Sequence, residues 1–186
     1  MFLSQHHGLN LNLSLNKIVQ KPLTMMKIGF GGGCHWCTEA VFQSLLGVEE
    51  VEQGWISSTG IHSTYSEAVI VHFDPTIIDL PTLITIHLLT HSSTSTHSLR
   101  GKYRSAIYYF SSAQAAIISS ILKTQQKDFE KPIITKVLPF LTFKNNTEQY
   151  LNYFLKNPNK PFCKNYIHPK LQYLKKRFST QIKDSF

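Results

Sequence analysis

The chain is 186 residues long, 42% hydrophobic and 16% charged, which suits one domain with its own core and excludes a disordered chain. No run of 18 apolar residues occurs, so a membrane-spanning helix is excluded, and three cysteines are too few for the disulfide framework of a secreted scaffold. The net charge of +8 sits in the last third: residues 1–122 carry 6 Lys and Arg against 7 Asp and Glu, whereas 123–186 carry 13 against 4.

That basic stretch comes without zinc-finger spacing, a recognition-helix pattern or an aromatic RNA-binding signature, and reads as a solvated helical surface. The expectation is a soluble, cytoplasmic monomer with no nucleic-acid or membrane partner. Residues 1–26 contain no acid and no Arg. They lack the compact apolar segment and cleavage site of a secretory signal and are set aside as an extension. Regular patterning starts at Lys27. Lys27–Gly32 reads as a short apolar strand running into glycines, Cys34–Leu46 as a helix stopped by Gly47, and Val48–Ile56 and Ser66–Phe73 as two strands. Asp79 caps a helix with Pro81 in its first turn and Leu83, Ile86 and Leu89 following. A Ser/Thr/His loop at 91–98 leads to the strand Tyr103–Phe110. Ser112 caps a helix to about Lys127, and Ile133–Phe143 is a last strand. Asn146–Lys156 reads as a helix ended by Asn157-Pro158, before a tail with a short basic amphipathic segment. The order strand-helix-strand-strand-helix-strand is the split βαβ arrangement. The expected fold is therefore α+β: a two-layer sandwich with a ferredoxin-like βαββαβ core and an added helix and strand. A catalytic domain is expected at 27–156 and a tail at 157–186.

The segment FGGGCHWCTEAVF carries the most chemistry. Its glycines let the chain turn sharply and keep the space around Cys34 clear. Cys34 then falls in the first turn of a helix, where free N–H groups and the helix dipole favour an anion, so its thiol should ionise readily. Cys37 completes C-x-x-C. A four-thiolate zinc site is excluded because Cys163 is the only other cysteine. A redox pair and a Cys37 that merely packs both fit the pattern. His87 and His91, four apart on a helix, read more readily as a partly exposed face than as ligands, and no metal is expected. The glycines lack the G-x-x-G or Lys-Ser/Thr of a phosphate loop, so no nucleotide is expected either. On the strand Ser66–Phe73, alternation puts Tyr65, Glu67 and Val69 on one face.

GGGCHWCTEAVFQSLLGVEEV resembles the nucleophile segment of the A-type peptide-methionine sulfoxide reductases, whose usual form reads G-C-F-W. SEAVIVHFDP is similar to that family's A-E-V-V-x-V-x-F-D-P strand, and YRSAIYY to its Q-Y-R-S-A-I-Y strand. The resemblance implies an oxidative-damage repair enzyme that reduces methionine S-sulfoxide, in proteins or in free form. It makes Cys34 the nucleophile that attacks the sulfoxide sulfur and is left as a sulfenic acid. Glu67 becomes the acid that protonates the departing oxygen. Trp36 becomes a wall of the apolar pocket for the S-methyl group, with His35, Tyr65 and Tyr103 completing the pocket. Cys163 is the implied resolving cysteine, with Cys37 the alternative. Thioredoxin or a small dithiol is the implied reductant, with no bound cofactor.

The sequence departs from the family in three places. His35 replaces the phenylalanine beside the nucleophile, the segment between Trp55 and Glu67 is short, and SSTSTHSLRGKYRS lacks the family's aspartate before Tyr103. Two other functions fit parts of the sequence. One is a general thiol–disulfide oxidoreductase using Cys34 and Cys37; the other is a basic interaction module working through the tail.

Overall fold

In a computed structural model of the chain, which describes residues 25–186, the apolar run expected from Lys27 starts one residue earlier. It forms the strand β1 (Met26–Gly31). The rest of the expected extension, residues 1–24, lies outside the described residues. Ile28 and Phe30 on one face of β1 are fully buried. Gly29 and Gly31 on the other face have no room for a side chain. A Cβ on Gly29 would stand 2.9 Å from Tyr108 Cβ, and one on Gly31 2.8 Å from the Arg104 carbonyl oxygen. β1 pairs antiparallel with β3 (Ser66–Phe73) on one side and with β4 (Ala106–Tyr109) on the other. β2 (Val48–Ser57) pairs antiparallel with β3. The resulting order β4-β1-β3-β2 is that of the expected split βαβ core, and the α+β class holds.

Helices cover one face of this sheet. α1 (His35–Gln43) buries Ala40, Val41 and Phe42, and α2 (Leu80–Thr90), capped by Asp79 as expected, buries Leu83, Ile84 and Ile86. With Val69, Val71 and Phe73 of β3 and Ile118 of α3 (Ser112–Gln125), they form the main core. The α3 cap is Ser111, whose hydroxyl accepts from Gln114 N, and not Ser112.

The added strand differs from expectation. Ile133–Phe143 is two strands, β5 (Lys136–Pro139) parallel to β4 and β6 (Thr142–Asn145) antiparallel to β2. These lie at opposite edges of the six-stranded order β5-β4-β1-β3-β2-β6. Two adjacent short strands can do this only because the sheet coils until its edges meet. Phe140 N donates to the Tyr109 carbonyl (2.9 Å), Leu141 N to that of Ser57 (3.2 Å), and Ser58 Oγ to that of Pro139 (2.7 Å). The enclosed face holds a small cluster of Ile56, Ala68, Ala106 and Tyr108, closed by Leu138, Phe140 and Phe143.

The helix expected at Asn146–Lys156 is also broken. A 3-10 turn at Glu148–Tyr150 and left-handed Asn152 (φ 55°) precede a single helical turn, α4 (Tyr153–Lys156). The tail continues through a π-helical turn, Cys163–Ile167, into α5 (His168–Arg177), and Ile167, Leu171 and Leu174 are buried. Leu46 N donates to the Gln181 carbonyl (2.7 Å) and Lys183 N to that of Ser44 (2.8 Å), which ties the tail to the end of α1. Among the described residues no helix is long and apolar enough to cross a membrane.

Candidate active site

The turn from β1 into α1 places Cys34 as the residue capping the helix. Its sulfur faces the backbone N–H groups of Trp36 and Cys37 and the thiol of Cys37. The hydrogen bond from Cys37 is the largest influence on the Cys34 thiol. With the Trp36 N–H it outweighs burial and the nearby Glu67 charge, and holds the Cys34 pKa below its ordinary 9.0. Cys37 moves the opposite way. Its hydrogen bond to Cys34 and its burial push its own pKa strongly up. Of the two thiols, Cys34 is the one made ready to attack.

Glu67, on β3, is 4% exposed and lies on the helix-facing side with Val69, as alternation predicts. The first N–H of α1, that of His35, donates to Glu67 Oε2 (3.1 Å). The His35 ring approaches the same oxygen through Nδ1 (3.4 Å), and the Lys102 ammonium pairs with Oε1 (3.2 Å). One free N–H of the helix terminus thus fixes the carboxyl group, and neighbouring N–H groups face the sulfur.

The other side of Cys34 is aromatic. Trp36 stacks on Tyr153 with centroids 4.0 Å apart and meets the edge of Phe162 at 5.4 Å. Trp36 Nε1 is buried and makes no hydrogen bond. Tyr153 is held there by Glu39, a 1% exposed carboxylate of α1. Glu39 accepts from Asn152 N (2.9 Å) and Tyr153 N (3.2 Å).

Behind the sulfur lies a cavity of about 180 Å³, lined among others by Cys34, Cys37, Tyr103, His87, His91 and Lys170. His91 stacks on buried His87 (centroids 4.1 Å) and bonds Ser105 Oγ through Nε2 (2.8 Å). Burial lowers both imidazoles, His91 to about 4. Among the described residues, no group of three or more His, Cys, Asp or Glu is arranged to hold a metal ion.

Cys34, Cys37, His35, Trp36, Glu67 and Tyr103 therefore come together. Tyr65 does not join them: it is 37% exposed, bonds Thr142 Oγ1 (3.0 Å) and lies under the Lys144 ammonium. Cys163 is fully buried in one apolar cluster with Cys37, against which Cys34 packs, and not on a free arm. The residues not anticipated from sequence are Lys102, Glu39, Tyr153, Phe162 and Asn146, whose amide accepts from Trp55 Nε1 (3.1 Å), donates to Gln53 Oε1 (2.6 Å) and lies against the His35 ring. Lys102 alone had a local signal, its position next to Tyr103.

A sequence profile described as "Peptide methionine sulfoxide reductase" matches residues 26–182. The chain belongs to the peptide methionine sulfoxide reductase family. It is accordingly an enzyme, an oxidoreductase of methionine sulfoxide. A relative from Trichodesmium erythraeum, "Peptide methionine sulfoxide reductase MsrA", is 36% identical over 171 residues, 83% of this chain and 97% of the relative. In the solved structures the fold recurs in reduced Mxr1 from Saccharomyces cerevisiae. That match has a TM-score of 0.66 and 23% identity, covering 77% of this chain and 91% of the other. Mxr1 in complex with Trx2 matches at a TM-score of 0.57 and 21% identity, covering 73% and 90%.

Proposed function

We propose that this reductase acts on methionine S-sulfoxide, in proteins and as the free amino acid, with Cys34 as nucleophile and Glu67 as proton donor. The observation that carries the assignment is the terminus of α1. There the Cys37 thiol, helped by the Trp36 N–H, lowers the pKa of the Cys34 thiol, and the His35 N–H hydrogen-bonds a buried carboxyl group beside it. The Cys34 thiolate attacks the sulfoxide sulfur, and Glu67 delivers a proton to the oxygen. The protonated oxygen passes from the substrate sulfur to the Cys34 sulfur as the transient bond between the two sulfurs breaks; methionine leaves reduced by two electrons, and Cys34, oxidised by two, is left as the sulfenic acid. A second thiol then displaces water from that sulfur to form a disulfide.

Trp36 with Tyr153 and Phe162 forms the wall for the S-methyl group, and Tyr103 lies on the rim. Sequence put Cys163 before Cys37 as the resolving thiol; we propose the reverse order. The Cys37 thiol already hydrogen-bonds Cys34, whereas Cys163 is fully buried in their shared cluster. Thioredoxin is the proposed reductant, as in the Trx2 complex of yeast Mxr1. The proposed setting is the cytoplasm and the proposed state a monomer without nucleic-acid partner or bound cofactor; three free cysteines suit a reducing compartment.

The test is a single-turnover assay of the reduced protein on peptides carrying resolved methionine S- and R-sulfoxides, followed by disulfide mapping. Methionine from the S epimer alone and a Cys34–Cys37 bond are expected. A first bond from Cys34 to Cys163 would move the resolving role, and no reduction of either epimer would end the assignment.

A further inference from the structure

Cys37 has two tasks that pull its chemistry in opposite directions. In the reduced protein it keeps its proton, because its thiol hydrogen-bonds the Cys34 sulfur. In the second step it must lose that proton to attack the sulfenic acid. The influences that keep it protonated are, in order, the hydrogen bond to Cys34, burial and the negative charge of Cys34. Two of these three belong to the Cys34 thiolate and disappear when that sulfur becomes an uncharged sulfenic acid. Burial then remains, with a smaller contribution from Cys163. The group that favours the Cys37 thiolate is the Lys170 ammonium, from α5.

The fold puts that ammonium in place. Lys170 is partly buried, and its neighbours Ile167 and Leu171 pack in the same apolar cluster as Cys37 and Cys163. Its Nζ donates to the carbonyl of Thr90, the last residue of α2, where the helix dipole favours a cation. There it lines the cavity behind the sulfur together with Cys34 and Cys37. Among the described residues no carboxylate forms an ion pair with it. The other titratable groups around the cavity are Tyr103, His97, His87 and His91, and burial holds the last two imidazoles neutral. Cys34 takes its lowered pKa from Cys37 and the backbone N–H groups, and Lys170 is not among the causes.

We propose that Lys170 is a positioning residue for the second step: fixed on the end of α2, its ammonium stabilises the Cys37 thiolate that attacks the Cys34 sulfenic acid. This rests on the resolving role given to Cys37 above. The Cys37 sulfur bonds to the Cys34 sulfur as the S–O bond of the sulfenic acid breaks, and the hydroxyl leaves as water with the proton that Cys37 gave up. In formal count Cys37 is oxidised by one electron and the Cys34 sulfur reduced by one.

The test is a single-turnover reaction of reduced wild type, K170M and K170R with a peptide methionine sulfoxide, followed from neutral to alkaline pH. Methionine release reports the first step; trapping of the sulfenic acid with dimedone and mapping of the disulfide report the second. K170M should release methionine within about twofold of the wild-type rate but form the Cys34–Cys37 bond about tenfold more slowly at neutral pH. The pH profile of that second step should move up by about one pH unit and converge on wild type at alkaline pH. K170R, which keeps the charge, should form the bond within about threefold of wild type. A K170M profile that superimposes on wild type overturns the proposal, and so do K170M and K170R equally slow at every pH, the mark of lost packing. In both cases a mapped Cys34–Cys37 bond leaves the resolving role of Cys37 standing. A first wild-type bond from Cys34 to Cys163 would overturn both together.

Discussion

The two walls beside Cys34 are built by opposite means. The wall around Glu67 comes from β2, β3 and the loop before β4 and is polar: a buried carboxyl group held by the His35 N–H, the His35 ring and Lys102. The opposite wall comes from the tail half of the chain and is a stack of aromatic rings on Trp36. Yet the aromatic wall also depends on a buried carboxylate, Glu39, which accepts two backbone N–H groups. Two carboxyl groups of similar burial on either side of one helix thus have different work. Glu67 lies beside the sulfur, whereas both oxygens of Glu39 are occupied by the backbone they hold in place. Burial and hydrogen bonding alone do not distinguish an acid that reacts from one that braces; the neighbourhood of the nucleophile does.

Breaking the polar wall should have the largest effect. E67Q should lower the single-turnover rate by about 10²- to 10⁴-fold with little change in substrate binding, measured by quenched-flow detection of methionine. Breaking the brace on the other side should act first on stability. E39A leaves two backbone N–H groups without their acceptor and should cost about 2–4 kcal/mol in urea unfolding, with a raised KM as Tyr153 loses its place under Trp36. E39Q should cost less and should change the pH dependence. Burial raises the Glu39 pKa above its ordinary 4.5, so the folded state binds the proton more tightly than the unfolded one. Stability from this group therefore falls as pH rises through the folded pKa, and E39Q should not share that fall. Between the walls, C37A removes the largest influence lowering Cys34. The inflection of Cys34 alkylation by iodoacetamide should then move upward in pH relative to wild type. The smallest effect belongs to Lys102, half exposed at its ion pair with Glu67: K102Q should slow reduction about two- to fivefold, and more weakly at high salt.

The polar wall was more legible in the sequence than the aromatic one, for physical reasons. Strand alternation gives the face of Glu67, and a glycine turn before a helix gives the setting of Cys34. Both are local rules acting over a few residues. Tyr153 and Phe162 reach Trp36 through the left-handed Asn152 and a broken helix, so their place depends on contacts more than a hundred residues away in the chain. The same limit explains the strand expected at 133–143. Periodicity reports which residues alternate, but not that the backbone leaves one edge of a coiled sheet and joins the other near Phe140 and Leu141. Asn146 gives no local sign at all, since its partners Gln53, Trp55 and His35 all come from the first third of the chain.

That crossing has a further consequence. A sheet edge with unpaired N–H and C=O groups is a template on which another extended chain can add itself. Here each outer strand is only four residues long, and the 139–142 crossing joins the two edges at one end of the sheet. The proposed protein substrates would include chains whose own extended segments are exposed. A sheet nearly closed on itself offers such a segment little edge on which to add a strand.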